Sequence, residues 1–512
     1  MEVATERPAE ALAALLASGP AGAPALVSPE DGAVLTYGQL AERVEALAGR
    51  LAAAGVGRGD RVALALGNGP DIVQLLLAVT ALGAAAAPLN PAYTFDEFSF
   101  YLGDISPRLL LLPASLPPAE RAAEASGTSV ARVAAGEHAG SDGPAAILLE
   151  GKALAEAPLG EGGRAGDVAI VLHTSGTTSR PKQVPLRQQN LMASARTIAA
   201  HYSLGADDVS FCVMPLFHVH GLVASTFAAL AGGGSVVVPR RFTPHRFWPQ
   251  ARRHSATWVS AGPTLHQMIL DKADAEGPPA SLRFTRSCSS ALSPALMARA
   301  EATYAVPMLE AYGMTEASHQ MASNPLPPGE RKPGSVGIPT GTEIAVIDPG
   351  RRFLPAGEAG EVVIRGPGLT SGYAHNDEAN AESFFDGWFR TGDRGALRDG
   401  YLWLEGRLKE MIIRGGENIS PAEIEAVLLA HPAVGEAVCF GVEDEKYGEL
   451  PAAAVTLVAE ADTAELLAHC KERLTAVKVP SAIHVLDAIP RTPTGKVQRR
   501  RVAAHVAGRP PG

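Results

Sequence analysis

The sequence predicts an α/β protein: a large N-terminal domain of parallel-rich α/β subdomains with a distorted β-barrel, followed by a small α+β C-terminal domain. Three observations predict it. Short apolar runs alternate with stretches of helical periodicity through the first third of the chain, the signature of strands joined by helices in a largely parallel sheet. Between positions 343 and 372 the pattern changes to short alternating runs such as Glu361-Val-Val-Ile-Arg, which read as antiparallel strands or a distorted barrel. After Arg407 it changes again, to a compact unit of roughly 100 residues.

Leu40, Val44, Leu47 and Leu51 recur at helical spacing, and Gly55 with the turn Gly57-Arg-Gly-Asp60 ends that helix before the apolar run Arg61-Val-Ala-Leu-Ala-Leu. The alternation repeats with a helix over 71–82, a strand over 84–89 and further strands over 109–112 and 168–172. The stretch 72–89 has the length and apolarity of a membrane span, but Gln74, Thr80, Gly83 and Pro88 interrupt it, so it reads as a buried helix running into a buried strand. Gly, Ala, Ser and Glu dominate 123–166 with little periodicity, which predicts variable surface structure, and the Pro/Gly-dense passage 324–341 joins two sheet regions. In the last unit, strands over 437–442 and 452–458 are flanked by helices over 421–429 and 463–476.

The chain has 512 residues, 46% hydrophobic and 19% charged, enough to bury a large core and incompatible with a disordered polymer. A formal net charge of -10 gives no general attraction to nucleic acid or an acidic membrane. Cys212, Cys288, Cys439 and Cys470 lie far apart without zinc spacing, which predicts neither disulfide nor structural zinc. The N-terminal segment lacks a secretory pattern and the C-terminus lacks a peroxisomal tripeptide, so a cytoplasmic protein is expected.

Thr174-Ser-Gly-Thr-Thr-Ser-Arg-Pro-Lys182 packs five hydroxyls, one glycine and two cations into nine residues directly after the strand ending near Leu172. Backbone N–H groups and short hydroxyls approach phosphate oxygens closely, and Lys182 adds a point charge, so the loop suits a polyphosphate. Its spacing is not that of a Walker A loop.

Further along stand Ala311-Tyr-Gly-Met-Thr-Glu316, Trp388-Phe-Arg-Thr-Gly-Asp393, Gly406-Arg-Leu-Lys-Glu410, Arg414-Gly-Gly-Glu-Asn-Ile-Ser420 and Pro490-Arg-Thr-Pro-Thr-Gly-Lys496. In this order the motifs resemble the adenylate-forming superfamily of acyl-CoA synthetases, adenylation domains and luciferases, over almost the entire chain. Two positions depart from that pattern: Ser179 replaces the usual loop glycine, and Gln183 replaces the glycine that commonly follows the lysine.

The resemblance implies an acid:thiol ligase that couples a carboxylic acid to ATP, releases pyrophosphate and passes the acyl group to CoA. It implies ATP and AMP contacts from Thr174, Ser175, Gly176, Thr177, Thr178, Lys182, Ala311, Tyr312, Thr315, Asp393, Arg407 and Lys496. Thr315 would touch the α-phosphate, Glu316 would hold Mg²⁺, Asp393 would accept the ribose hydroxyls with Arg407 beside it, and Tyr312 would stack on adenine. Lys496 would bridge the acyl carboxylate and the phosphate, which makes it the leading catalytic residue, with Thr315 and Glu316. The same resemblance implies a division into residues 1–408 and a mobile 409–512, a hinge at Lys409, and a pantetheine tunnel along Gly415 and Gly416. The run Gln498-Arg-Arg-Arg501 reads as a solvated face.

In such enzymes the acyl pocket lies between the phosphate loop, the block Pro215-Leu-Phe-His-Val-His-Gly221 and the strand ends before Ser289 and Tyr312. Those places hold His218, His220, Arg286, Ser289, Ser290 and His319, too polar for a fatty acyl chain, because each buried unpaired polar group costs roughly 1–3 kcal/mol. A small polar acid fits better. His218-Val-His220, Arg286-Ser-Cys-Ser-Ser290, Met314-Thr-Glu-Ala-Ser-His319 and Asn324-Pro-Leu-Pro resemble the oxalyl-CoA synthetase branch, which implies that Ser289, His319 and His220 hold the second carboxylate of oxalate, with Arg286 a further candidate and His218 beside the acyl site. Malonate, an aryl acid or a medium-chain acid, and a carrier protein in place of CoA, remain the alternatives.

Overall fold

The computed structural model describes residues 10–134, 145–174, 181–415, 417–491 and 497–508. Two large sheets carry the N-terminal part. The first runs through eight strands, with Val168–His173, Ala85–Pro88, Arg61–Leu64, Leu109–Leu112 and Ser129–Ala134 parallel at its centre. The second has nine strands, parallel from Met308–Met314 through Phe284–Ser287, Trp258–Ala261, Val209–Phe211 and Ser235–Val237 to Pro24–Val27.

One hydrophobic cluster joins the two sheets across the helices Tyr37–Ala53, Pro70–Ala81 and Gln188–His201. Thr36 opens the first with a capping box, accepting from Gln39 N while the Gln39 side chain reaches back. Pro70–Ala81 is buried from Ile72 through Thr80 and leads into the buried strand Ala85–Pro88, so its apolar text serves a core. Among the described residues no helix is long and apolar enough to cross a membrane.

Part of the stretch 123–166 corrects the sequence reading. Ser129–Ala134, Ala146–Leu149 and Lys152–Ala153 continue the eight-stranded sheet outward to one edge, where short, half-exposed strands carry little hydrophobic periodicity to read. The passage after Asn324 leads, as expected, to a separate sheet built on Glu343–Ile347, Gly360–Arg365, Trp388–Arg398 and Tyr401–Arg407, antiparallel throughout. A fourth sheet is formed by Ile412–Arg414, Glu417–Ile419, Val434–Asp444, Gly448–Leu457 and Ile483–Val485, with Pro421–Leu429 and Thr463–Arg473 packed against it.

Candidate active site

Arg286 is the centre of a polar cluster buried at the C-terminal end of the nine-stranded sheet. The parallel register sets Ser260 opposite Arg286 and Trp258 opposite Phe284, and paired residues share a face. Trp258 and Phe284 stack with centroids 5.6 Å apart, while Arg286 Nη1 donates to Ser260 Oγ at 2.8 Å. The remaining guanidinium nitrogens donate to Tyr202 Oη at 2.8 Å and Gln320 Oε1 at 2.9 Å. Arg283, three residues earlier, is paired with Asp208. Arg286 is fully buried, and among the described residues no carboxylate pairs with it.

A guanidinium carries donors only, so the ring nitrogens facing it present lone pairs. These are His220 Nε2 and His319 Nδ1, each 3.4 Å away. Both imidazoles are therefore neutral, protonated on His220 Nδ1 and His319 Nε2. Ser260, which accepts from Arg286, donates to His220 Nε2 at 2.7 Å, and His220 Nδ1 donates to Ser289 Oγ at 2.8 Å. The polarity runs Arg286, Ser260, His220, Ser289, which leaves the Ser289 hydroxyl proton as the outermost donor. His266 supports the strand from behind: its Nε2 donates to the Arg286 carbonyl at 2.9 Å, and burial pushes its imidazole down to about 4.

His220 opens a buried π-helical segment, His220–Phe227, and His319 opens the strand His319–Ser323. His319 stands at φ 106° and Ser289 at φ 77°, conformations that non-glycine residues adopt under constraint and that concentrate at functional sites. Gly313 permits the approach of His319, since a Cβ there would come within 2.3 Å of the His319 carbonyl. His218 is half-buried beside Phe217 in the turn before the π-helical segment.

The hairpin of Met308–Met314 with His319–Ser323 also carries Ala311 and Tyr312, two of the residues expected to contact the nucleotide. Ala311 and Tyr312 pair with Ser323 and Ala322. Tyr312 donates its hydroxyl to Asp393 Oδ2, and Arg407 Nε donates to Asp393 Oδ1 at 2.7 Å. Burial, reinforced by the Asp393 charge, holds the Tyr312 phenol protonated. Thr315 is half-buried in the single turn Thr315–Ala317, and Glu316 accepts from Tyr373 Oη at 2.8 Å through Oε1. Lys182 Nζ lies 4.7 Å from the Tyr373 ring centroid, so Tyr373 stands between this lysine and Glu316. Thr174 and Lys182 close the neck of the loop, with Thr174 N donating to the Lys182 carbonyl at 3.0 Å.

Ser175, Gly176, Thr177, Thr178, Gly416 and Lys496 lie outside the described residues. Lys409 is exposed in the turn Leu408–Glu410, and Gly415 N donates to the Tyr447 carbonyl at 2.7 Å. The solvated face expected for Gln498-Arg-Arg-Arg501 holds for the exposed Arg500 and Arg501 but not for Arg499. That side chain turns inward to pair with Glu410 and Glu425, because the helix Arg499–Val506 packs on Val434–Asp444.

Tyr202, Ser260, Gln320 and Tyr373 were not legible as site residues. Tyr202 reaches Arg286 across 84 positions, and no local motif marks such a partner.

Comparison with known proteins gives one answer along the whole chain. A model of the AMP-binding enzyme family matches residues 14–374, and one of the AMP-binding enzyme C-terminal domain matches 423–496. The chain is 48% identical over 482 residues to the probable CoA ligase CCL9 of Humulus lupulus, covering 92% of this chain and 91% of that one. It is 46% identical over 492 residues to an oxalate–CoA ligase of Arabidopsis thaliana, covering 93% and 94%. Its structure resembles ATP-bound MatB from Rhodopseudomonas palustris, with TM-score 0.86 and 30% identity over 96% of this chain and 97% of that one.

Proposed function

The chain belongs to the family of AMP-binding enzymes, and on that premise we propose that it is a Mg-ATP-dependent ligase that joins oxalate to CoA. Its class is an acid:CoA ligase, an AMP-forming acyl-CoA synthetase. The acid is the inference, and one observation carries it: Arg286 is a fully buried cation that no carboxylate of the described chain neutralises. A buried charge is tolerated when a partner ion arrives. The second carboxylate of a small diacid supplies that ion, and oxalate is the smallest. Ser289 and His319 complete the recognition, since a hydroxyl and a neutral imidazole donate to an anion without adding further charge, and His220 orients the Ser289 hydroxyl through its Nδ1–H. The 46% identity to an oxalate–CoA ligase supports the same acid.

In the first step a carboxylate oxygen attacks the α-phosphorus of ATP and pyrophosphate leaves. Two anions meet, so the site must neutralise charge. Lys182 and Lys496 supply fixed cations, Thr315 donates to the α-phosphate, Tyr312 stacks on adenine with Ala311 as a further nucleotide contact, and Asp393 with Arg407 anchors the ribose hydroxyls. Glu316 suits Mg²⁺: it is a buried carboxylate whose Oε1 is engaged by Tyr373 and whose Oε2 has no protein partner among the described residues, and Mg²⁺ favours one such oxygen beside phosphates. The ion supplies charge neutralisation on the phosphates when bound. In the second step the CoA thiol attacks the acyl carbonyl and AMP leaves. Residues 409–512 serve both steps in two orientations about Lys409, one presenting Lys496 and one presenting Gly415 and Gly416 to the pantetheine arm.

The test incubates the protein with Mg-ATP, CoA and, in parallel, oxalate, malonate, acetate, benzoate and octanoate, reading AMP and acyl-CoA. Oxalyl-CoA formed with oxalate alone is expected. Turnover of octanoate or benzoate without oxalate overturns the acid assignment and leaves the ligase class standing; AMP without a CoA thioester points to a carrier protein as acceptor.

A further inference from the structure

The phosphate loop begins and ends on one cross-strand pair. His173 closes the strand Val168–His173, Gln183 opens Gln183–Arg187, and the two face each other in antiparallel register. Both side chains turn to the same residue. Gln183 Nε2 donates to Asp104 Oδ2 at 2.7 Å and to the Asp104 carbonyl at 2.6 Å, while His173 Nε2 donates to Asp104 Oδ2 at 2.8 Å. Asp104 comes from the last turn of the helix Phe95–Ile105, which Thr94 and Glu97 cap at its start.

The two stem residues turn inward while Asp104 itself lies at the surface, its side chain 39% exposed. Gln183 is 3% exposed and the His173 side chain 6% exposed, with Tyr101 edge-on to the His173 ring at 4.8 Å. Burial lowers the His173 imidazole, so at neutral pH it is an N–H donor to the carboxylate and not a cation. Gln183 Oε1 is buried with no hydrogen-bond partner among the described residues, an unfavourable arrangement that the fold accepts while Nε2 stays on Asp104. Gln183 is also one of the two positions at which this loop departs from the family pattern, where a glycine could make none of these contacts. Nothing in this arrangement touches the Arg286 cluster.

We propose that Asp104 is a positioning residue that ties together the two strand ends flanking residues 174–182, His173 and Gln183, and so favours binding of the triphosphate of ATP. The proposal rests on the reading of that loop as the triphosphate site. A loop of short hydroxyl side chains loses conformational freedom when it wraps an anion. Fixing both stems beforehand removes part of that loss, and fixing them to one carboxylate couples their positions. The clamp therefore acts on nucleotide affinity and not on recognition of the acid.

Mg-ATP binding to the full-length protein, measured by calorimetric titration, tests it with Asp104→Ala, Gln183→Gly, the double variant and Lys182→Ala. Asp104→Ala is expected to weaken Mg-ATP about tenfold, and Gln183→Gly less. The double variant is expected to be no weaker than Asp104→Ala alone, since both substitutions break one unit. In turnover the loss falls on KM for ATP and not on kcat at saturating ATP, whereas a merely structural role would lower the yield of active enzyme. Gln183→Gly, on the far stem, serves as the independent test should Asp104→Ala not fold. Weakened binding by Lys182→Ala together with unchanged binding by Asp104→Ala and Gln183→Gly overturns the clamp alone. Unchanged binding by Lys182→Ala overturns the loop reading, and the clamp falls with it.

Discussion

Arg286 and Ser260 are register partners on adjacent parallel strands, and the hydrogen bond between them, 2.8 Å from Nη1 to Oγ, fixes the proton positions of the candidate acyl site. Because the guanidinium can only donate, every acceptor around it is committed, and the remaining N–H and O–H groups point onward to Ser289 and away from His319 Nδ1.

Substitution of Arg286 by Met is expected to lower kcat/KM for oxalate by about a hundredfold, which corresponds to roughly 2.7 kcal/mol of lost stabilisation. Arg286→Lys is expected not to restore it, because an ammonium cannot reach Ser260, Tyr202 and Gln320 together. Steady-state kinetics with oxalate varied checks both variants, and wild-type kinetics in Arg286→Met would remove the diacid assignment.

Lys496→Ala is expected to slow formation of the acyl-adenylate by at least about a hundredfold while leaving the transfer of a supplied acyl-adenylate to CoA within a few-fold of wild type. Rapid-quench measurement of the two half-reactions separates them. Equal losses in both steps would show that the lysine does not act at the adenylation transition state.

Two buried groups give the stability opposite dependence on pH. Burial lowers His266 to about 4, so its contribution is present above its unfolded value near 6.5 and is lost as pH falls toward 4. Burial raises Glu310 to about 7 against one hydrogen bond from Gly334 N, so its contribution is present below about 4.5 and is lost as pH rises toward 7. His266→Gln is expected to make stability fall more steeply with rising pH between 5 and 7 than in wild type, and Glu310→Gln to make it rise more steeply. Thermal midpoints of the three proteins at several pH values in this window check the signs, and parallel profiles would contradict the assignment.

Arg499→Gln is expected to destabilise the fourth sheet and its helices by about 2–3 kcal/mol, since it leaves Glu410 and Glu425 without their shared cation. Arg500→Gln and Arg501→Gln, on the exposed side of the same helix, are expected to change stability by less than about 0.5 kcal/mol. Denaturant unfolding of the three variants distinguishes the inward arginine from its neighbours, and similar losses in all three would contradict the ion network.

The sequence by itself determined the α/β class, the strands Leu109–Leu112 and Val168–His173, the helix Pro421–Leu429 and the motifs around Thr174, Tyr312 and Asp393. Each of these is written in neighbouring residues: a buried face repeats at the period of its element, and a ligand loop needs its small and hydroxylic residues side by side. Only the tertiary structure decided that Tyr202, Ser260 and Gln320 surround Arg286, that Tyr373 stands between Lys182 and Glu316, and that Asp104 bonds both His173 and Gln183. Those meetings follow from the order in which crossover connections lay strands side by side, and strand order is a property of long-range packing that local periodicity does not carry. The same reason explains Arg499, which is followed by the exposed Arg500 and Arg501: its inward turn depends on which sheet the last helix covers.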